Sequence, residues 1–144
     1  MDNITWINSV AGKPWVDRAY GPTAFDCWGL VIDSFRRIDG VELQEVAGYG
    51  EGLPIEEIGA ETATLYGWPE IAKPADGCVF CIYLSNGSMV HVGRILSIYK
   101  AGLHAVHAAG KDGKGQVAVE AVRSITDKYK DRIKYYMRPT DASN

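Results

Sequence analysis

The stretch from residue 21 to residue 37 constrains the fold most, because a chain break, a helix cap and a cysteine coincide there. Gly21 and Pro22 end the preceding segment, and Asp26 is a favoured N-cap residue directly before Cys27. Beyond the cysteine, apolar residues recur at helical spacing, at positions 28, 31, 32, 35 and 38. The sequence therefore predicts a loop that becomes a helix, with Cys27 in its first turn.

A cysteine at a helix start is a candidate nucleophile. Unpaired backbone N–H groups and the positive end of the helix dipole favour a thiolate there, so we expect a lowered pKa for the thiol of Cys27. Gly29 is a poor helix former, which predicts that another backbone approaches the helix at this point. The structural alternative for Cys27 is a small buried apolar residue, a common fate of free cysteine.

Composition excludes several classes of protein. The 144 residues are 47% apolar and 23% charged, a globular balance. A net charge of −3 argues against a nucleic-acid partner, and no apolar run is long enough to be inserted in a membrane. The first residues lack the basic and apolar regions of a secretory signal, and three cysteines cannot all pair. We therefore expect a protein made in the bacterial cytoplasm without a signal peptide.

The order of the apolar patterns predicts an α+β fold. Helical patterns come first, at residues 3–10, from Cys27 to near Gly40, and more weakly at 55–65. Strand patterns follow, with an Asn86-Gly87 hairpin turn after the first of them. The expected strands are 78–84, 89–98, 104–108, 117–121 and 133–137. Helices followed by an antiparallel meander indicate one α+β domain over residues 1–139, with 140–144 as a flexible tail.

A cysteine nucleophile needs a base that is its neighbour in space, and the chain has three histidines. His91 lies just after the hairpin turn and can exchange a proton with the thiol if it faces the cysteine helix. A third polar group is then needed to orient its ring, and the next strand can supply it. His104 and His107 lie on opposite faces of that strand, so at most one of them has this role.

Three blocks of sequence resemble the signature blocks of the NlpC/p60 cysteine peptidases. They are Phe25–Val31, His91–Gly93 and Val106–Ala108, and the likeness extends over residues 5–139. The greatest similarity is to members encoded among phage tail genes. The resemblance implies a papain-like NlpC/p60 fold, with the nucleophile helix packed on an antiparallel β-sheet. It implies that the catalytic residues are Cys27, His91 and His107.

The same resemblance implies an activity and partners. The activity is hydrolysis of peptide bonds in peptidoglycan stem peptides, of the γ-D-glutamyl–diaminopimelate type, without a metal or cofactor. The implied partners are these stem peptides and other phage tail proteins, and the implied location is a virion tail. Two alternatives stay open: a non-catalytic tail-assembly module, and an amide or acyl transferase that uses the same Cys–His site.

Five residues are expected to contact the substrate, and the family likeness guides their choice. Trp15 or Tyr20 takes the place of an upstream family tyrosine, and Trp28 stands where most of the family has serine. Tyr49 supplies an aromatic side chain in the irregular stretch 41–60. Arg94 or Lys111 is placed to hold a substrate carboxylate. The expected contacts are Trp15, Tyr20, Trp28, Tyr49 and Arg94.

Two further motifs have simpler explanations. Cys78 and Cys81 form a C-x₂-C pair on an apolar strand without a second ligand pair, so we expect buried thiols and no zinc site. The glycines and lysines of residues 110–115 precede a strand and lack the P-loop pattern, so we expect a hairpin turn.

Overall fold

The computed structural model describes residues 1–43, 67–110 and 115–139. The expected helix at 55–65, Tyr49, Lys111 and the tail from residue 140 lie outside the described residues. The described helices are α1 (Asn3–Val10), α2 (Cys27–Ser34) and α3 (Val122–Tyr129). The strands are β1 (Glu70–Ile71), β2 (Val79–Tyr83), β3 (Met89–Ile98), β4 (Gly102–Ala109), β5 (Gln116–Ala121) and β6 (Ile133–Tyr136).

The strands of the described part form one antiparallel sheet in the order β1-β6-β2-β3-β4-β5. Helices α1 and α2 pack on one face, and α3 packs on the other. Alternation along β3 shows the two sides: Val92, Arg94 and Leu96 face α1 and α2, whereas Gly93 and Ile95 face the side of α3. The sheet is therefore buried on both sides, and its central strands can carry functional groups to either one.

The cysteine helix begins where the sequence predicts. One carboxylate oxygen of Asp26 accepts the backbone N–H of Gly29 at 2.6 Å, and the other accepts that of Arg18 at 2.9 Å. Beyond α2 the chain continues through a π-helical turn, Phe35–Asp39. It ends at Gly40, whose φ of 68° is the left-handed conformation favoured at helix ends. Both predicted ends of this helical segment are confirmed.

The predicted close approach at Gly29 is also confirmed. A Cβ added to Gly29 would lie 2.0 Å from the carbonyl oxygen of Ala19, so no side chain fits there. The same carbonyl accepts the backbone N–H of Asp26 at 2.8 Å, which ties the loop to the start of α2. Glycine at this position lets the loop that precedes the helix fold back onto it.

Most element predictions for the described residues are confirmed, but helix α3, the 3₁₀ turn Lys130–Arg132 that follows it and strand β1 were not predicted. The helix at residues 3–10 is correct, and each expected strand agrees within two residues at either end. Helix α3 was not predicted because Ile125 is its only buried residue and no side chain caps its start. Strand β1 has two residues, too few for a periodic pattern.

We predict that Gly29→Ala destabilises the protein by about 2 kcal/mol or more, because its methyl group would overlap the backbone at Ala19. Chemical denaturation measures the free energy of unfolding. Asn8→Ala, at an exposed position in α1, is the control and should change it by less than about 0.5 kcal/mol. Equal stability of the two variants would contradict the close-approach explanation.

Candidate active site

Cys27 is the first residue of α2 and is 8% exposed. It packs in one core cluster with Val92, the residue that follows His91 on β3, and the backbone N–H of Val92 is one of the groups that act to lower the pKa of its thiol. The thiol therefore sits between the start of the helix and the strand that carries His91.

The expected lowering of the thiol pKa is wrong. Burial raises the pKa of Cys27 to about 12, and the neighbouring carboxylate of Asp26 raises it further. The N–H groups of Val92, Trp28 and Cys27 itself oppose this rise without cancelling it. Burial also raises the pKa of Cys78 to about 11 and that of Cys81 to about 12. In this structure Cys27 is a neutral thiol at physiological pH.

We predict that the alkylation rate of Cys27 by iodoacetamide rises about tenfold per pH unit from pH 7 to pH 10, since only the thiolate reacts. Peptide mapping after short labelling times gives the rate at each thiol. Unfolded protein, in which the three cysteines have ordinary pKa values, is the control. A rate for Cys27 that levels off below pH 8 would mean that its pKa is low.

The two imidazoles are joined directly. Nε2 of His91 lies 2.7 Å from Nδ1 of His107, and Nε2 of His107 lies 2.6 Å from a carboxylate oxygen of Glu120. These groups come from the neighbouring strands β3, β4 and β5. By contrast, Nδ1 of His104 is 3.0 Å from the carbonyl oxygen of Gly102 in its own turn. The structure thus brings His107, and not His104, to His91.

Glu120 was missed by the sequence analysis. The register pairs His107 with Ala118 and Ala105 with Glu120, so the carboxylate lies one step along the same face as the imidazole. The apolar alternation of Val117 and Val119 does place residues 118 and 120 together on the other face. Which group of β4 they meet depends on the strand register, for which the sequence carries no local signal.

A β-bulge aims the His91 side chain. Tyr83 pairs with Met89 and Ile82 pairs with His91, so Val90 is the extra residue on β3. Without the bulge, His91 would share the face of Met89, which packs with α2. With it, the ring turns towards Phe80 and His107 on the α3 side of the sheet.

The expectation that His91 faces the cysteine helix is therefore corrected. No hydrogen bond joins the Cys27 thiol to either imidazole in the described part of the chain. The hydrogen bond of the His91 ring goes to His107, and its Nδ1 has no hydrogen bond to any of the described residues.

Burial also controls His91. It lowers the pKa of His91 to about 3, with smaller contributions from His107 and from the positive charge of Lys128 on α3. The ring is thus neutral at physiological pH and able to accept a proton. Neutral His91 stabilises the folded protein above its ordinary pKa of 6.5, and this contribution is lost as the pH falls towards 3.

We predict that the melting temperature of the wild type falls between pH 6.5 and pH 3.5, partly because His91 must gain a charge. His91→Gln should flatten this fall, since glutamine does not titrate. Calorimetry across the pH range makes the comparison, with His104→Gln as the matched control. Parallel pH profiles for the wild type and His91→Gln would refute a lowered pKa for His91.

A cavity of about 220 Å³ lies on the α3 side of the imidazoles. His91, His107 and Glu120 form one side of it, and Lys128 and Tyr129 of α3 form another. The hydrogen-bonded groups thus line a cavity on this side of the sheet.

Two of the expected substrate contacts are wrong. Trp28 is 2% exposed and packs in the core with Val31 and Phe35. Arg94 is 3% exposed, and its guanidinium binds the carboxylate of Asp39 at 2.6 Å and stacks 3.7 Å from the ring centre of Phe35. Both side chains hold α2 on the sheet, so neither is available to a ligand.

The other expected contacts differ in exposure. Tyr20 is 54% exposed, and the guanidinium of Arg36 lies 6.0 Å from its ring centre. Trp15 is half-buried and packs against the core cluster that includes Trp6 and Val10 of α1. An isolated β-bridge pairs it with Phe25 in the loop before α2. Tyr49 lies outside the described residues.

The remaining cysteines do not form a joint site. Cys78 packs in the cluster on the α3 side of the sheet, whereas Cys81 packs on the α2 side. Within residues 1–43, 67–110 and 115–139, no group of three or more His, Cys, Asp or Glu side chains is arranged to hold a metal ion. No helix in these same ranges is long and apolar enough to cross a membrane.

Comparison with solved structures identifies the architecture. The crystal structure of the NlpC/p60 domain of the peptidoglycan hydrolase SagA matches 94% of this chain and 95% of its own, with a TM-score of 0.55. The chain has the NlpC/p60 fold. Sequence identity to that domain is 15%. No protein-family model and no curated protein matches the chain.

The NlpC/p60 fold confirms the predicted class and arrangement. The cysteine helix packs on an antiparallel sheet, as the α+β prediction required. Cys27, at the capped helix start, packs in one core cluster with Val92, near the start of β3 where His91 lies. The chemistry of this chain must be argued from its own residues, because fold alone does not establish function.

Proposed function

We propose that the protein is a cysteine peptidase that hydrolyses peptide bonds in peptidoglycan stem peptides. Cys27 is the nucleophile, His91 the base and His107 the residue that orients it. The observation that carries the proposal is the 2.7 Å contact between Nε2 of His91 and Nδ1 of His107. Among the described residues it leaves Nδ1 of His91 available, and Val92, the next residue in the chain, packs in one core cluster with Cys27. The fold match to a domain of a peptidoglycan hydrolase supports the substrate class.

The reaction starts from two neutral groups. The thiol approaches Nδ1 of His91, which takes its proton as the sulfur attacks the substrate carbonyl. Backbone N–H groups at the start of α2 stabilise the negative oxygen that develops. The imidazolium then protonates the leaving amine, which gives a thioester. Water, deprotonated by His91, hydrolyses this thioester and restores the thiol.

The substrate carboxylates need cationic partners other than Arg94. A groove of about 610 Å³ presents the cationic side chains of Arg132 and Lys134 beside the hydrogen-bonded hydroxyls of Tyr83 and Tyr136, 3.0 Å apart. Tyr136 belongs to the same packed cluster as Cys27. We assign this groove to the acidic stem peptide, and we place the cut at the γ-D-glutamyl–diaminopimelate bond, as the family resemblance implies.

The biological setting rests on the resemblance of the cysteine block to tail-encoded members. We propose that the protein acts in a phage tail, where it opens the cell wall during entry. Its partners there are stem peptides and other tail proteins.

A second candidate is a non-catalytic tail-assembly module. The observation that favours it is the buried thiol of Cys27, with a pKa raised to about 12 and without a hydrogen bond to either imidazole. A buried, neutral thiol is expected of a core residue as well as of a nucleophile before substrate binds. Transfer of the acyl group to an amine is a variant of the enzymatic proposal, since only the acceptor differs.

We predict that wild-type protein cuts purified sacculi and that Cys27→Ala and His91→Ala do not. A general acid–base group contributes about 10²–10⁴-fold to the rate, so loss of His91 should leave almost no turnover. His104→Ala removes a histidine that does not contact His91 and should keep nearly full activity. Mass spectrometry of the muropeptides identifies the bond, with a stem cut after D-glutamate expected.

The outcomes separate the candidates. New amine-linked products would indicate transfer. An unchanged muropeptide profile from folded wild-type protein would reject the peptidase and favour the structural module. Full activity of Cys27→Ala would reject Cys27 as the nucleophile.

A further inference from the structure

We propose that Glu120 is a positioning residue that fixes the proton positions on both histidines and so makes His91 a base. This inference rests on the proposed function, because it concerns the proton that His91 takes from Cys27. Glu120 acts through His107 and does not touch the thiol or the substrate. It extends the Cys–His–His set of the proposed site by one group.

The first step is the contact between Glu120 and His107. Their atoms are 2.6 Å apart, and the two side chains are 38% and 8% exposed, so this is a short hydrogen bond at the edge of the interior. A carboxylate oxygen accepts hydrogen bonds and does not donate them. Nε2 of His107 must therefore carry the proton. A neutral His107 with its proton on Nε2 has a lone pair on Nδ1.

The second step transfers this constraint to His91. In this neutral form Nδ1 of His107 can only accept, so Nε2 of His91, 2.7 Å away, is the donor. Neutral His91 then has its lone pair on Nδ1, the nitrogen that the network leaves free. This is the tautomer that can take a proton from the thiol. The opposite tautomer would present an N–H to the thiol and could not act as the base.

The sheet holds these groups rigidly. Gly93 leaves room for the side chain of His107. A Cβ added at Gly93 would lie 2.8 Å from Cβ of His107 and 2.4 Å from Cζ of Phe80. Phe80 packs edge-on against His107, with ring centres 5.7 Å apart. On the open side, Lys128 and Tyr129 of α3 face the network across the cavity. Among the described residues that line this cavity, Glu120 is thus the one acidic group.

The test reads the tautomers directly, by nitrogen NMR of protein labelled with ¹⁵N-histidine. The chain has three histidines, and His91→Gln and His107→Gln assign their signals. At pH 8 the wild type should show His91 and His107 with the proton on Nε2. Glu120→Ala should move part of the population of both rings to Nδ1–H. Glu120→Gln keeps an acceptor oxygen and should retain the wild-type tautomers.

Glu70→Ala, on edge strand β1, is the matched control and should leave all three histidines unchanged. Circular dichroism checks that each variant is folded. Unchanged tautomers in folded Glu120→Ala would overturn the proposal, and so would a wild-type His91 with its proton on Nδ1. If Glu120→Ala does not fold, the Glu120→Gln and wild-type spectra still decide, because loss of the Nε2–H form in Glu120→Gln contradicts the acceptor role.

Kinetics on muropeptides gives the functional reading. Glu120→Ala should lower kcat by about 10–100-fold with little change in KM, as expected for a partner that orients an active group. Glu120→Gln should recover most of this loss. An inactive wild type would reject the proposed peptidase, yet the tautomer measurement would still test Glu120. Normal kcat in Glu120→Ala would reject its positioning role in catalysis.

Discussion

The carboxylate of Asp26 is the contact on which the site depends. It is 4% exposed and binds two backbone N–H groups, that of Gly29 in α2 and that of Arg18 in the preceding loop. The loop and the helix start are thereby fixed to one another, and Cys27 is held against β3. The same carboxylate raises the pKa of the adjacent thiol, so the group that positions the cysteine also opposes its ionisation.

The balance at Cys27 shows why a helix start does not ensure a thiolate. A rise from 9.0 to about 12 corresponds to roughly 4 kcal/mol against the charged form. A helix N-terminus typically contributes about 0.3–1 kcal/mol, and up to about 2 kcal/mol in favourable geometries. Burial therefore outweighs the dipole. The proposed chemistry follows from this result, because a neutral thiol must lose its proton during the attack and needs a neutral base beside it.

The sequence predicted those features of the fold that depend on residues close together in the chain. The helix cap at Asp26, the close backbone approach at Gly29 and the hairpin at Asn86-Gly87 are each signalled by a few neighbouring residues in the chain. All three regions fold as expected. Partners across the sheet were not predictable in this way. Arg94 suggested a ligand contact until its pairing with Asp39 was known, because a sequence does not show which face of a strand meets which helix.

The β-bulge at Val90 illustrates the same limit and explains the layout of the site. One extra residue changes the face on which His91 lies, and no composition rule marks that residue in advance. Its effect is to take the imidazole away from the α2 core and place it next to His107. The strand register places His107 beside His91 and Glu120 beside His107, whereas the Cys27 thiol has no hydrogen bond to either imidazole. In the proposed mechanism the sheet therefore positions the base in advance, and the approach of Cys27 is the step that substrate binding must favour.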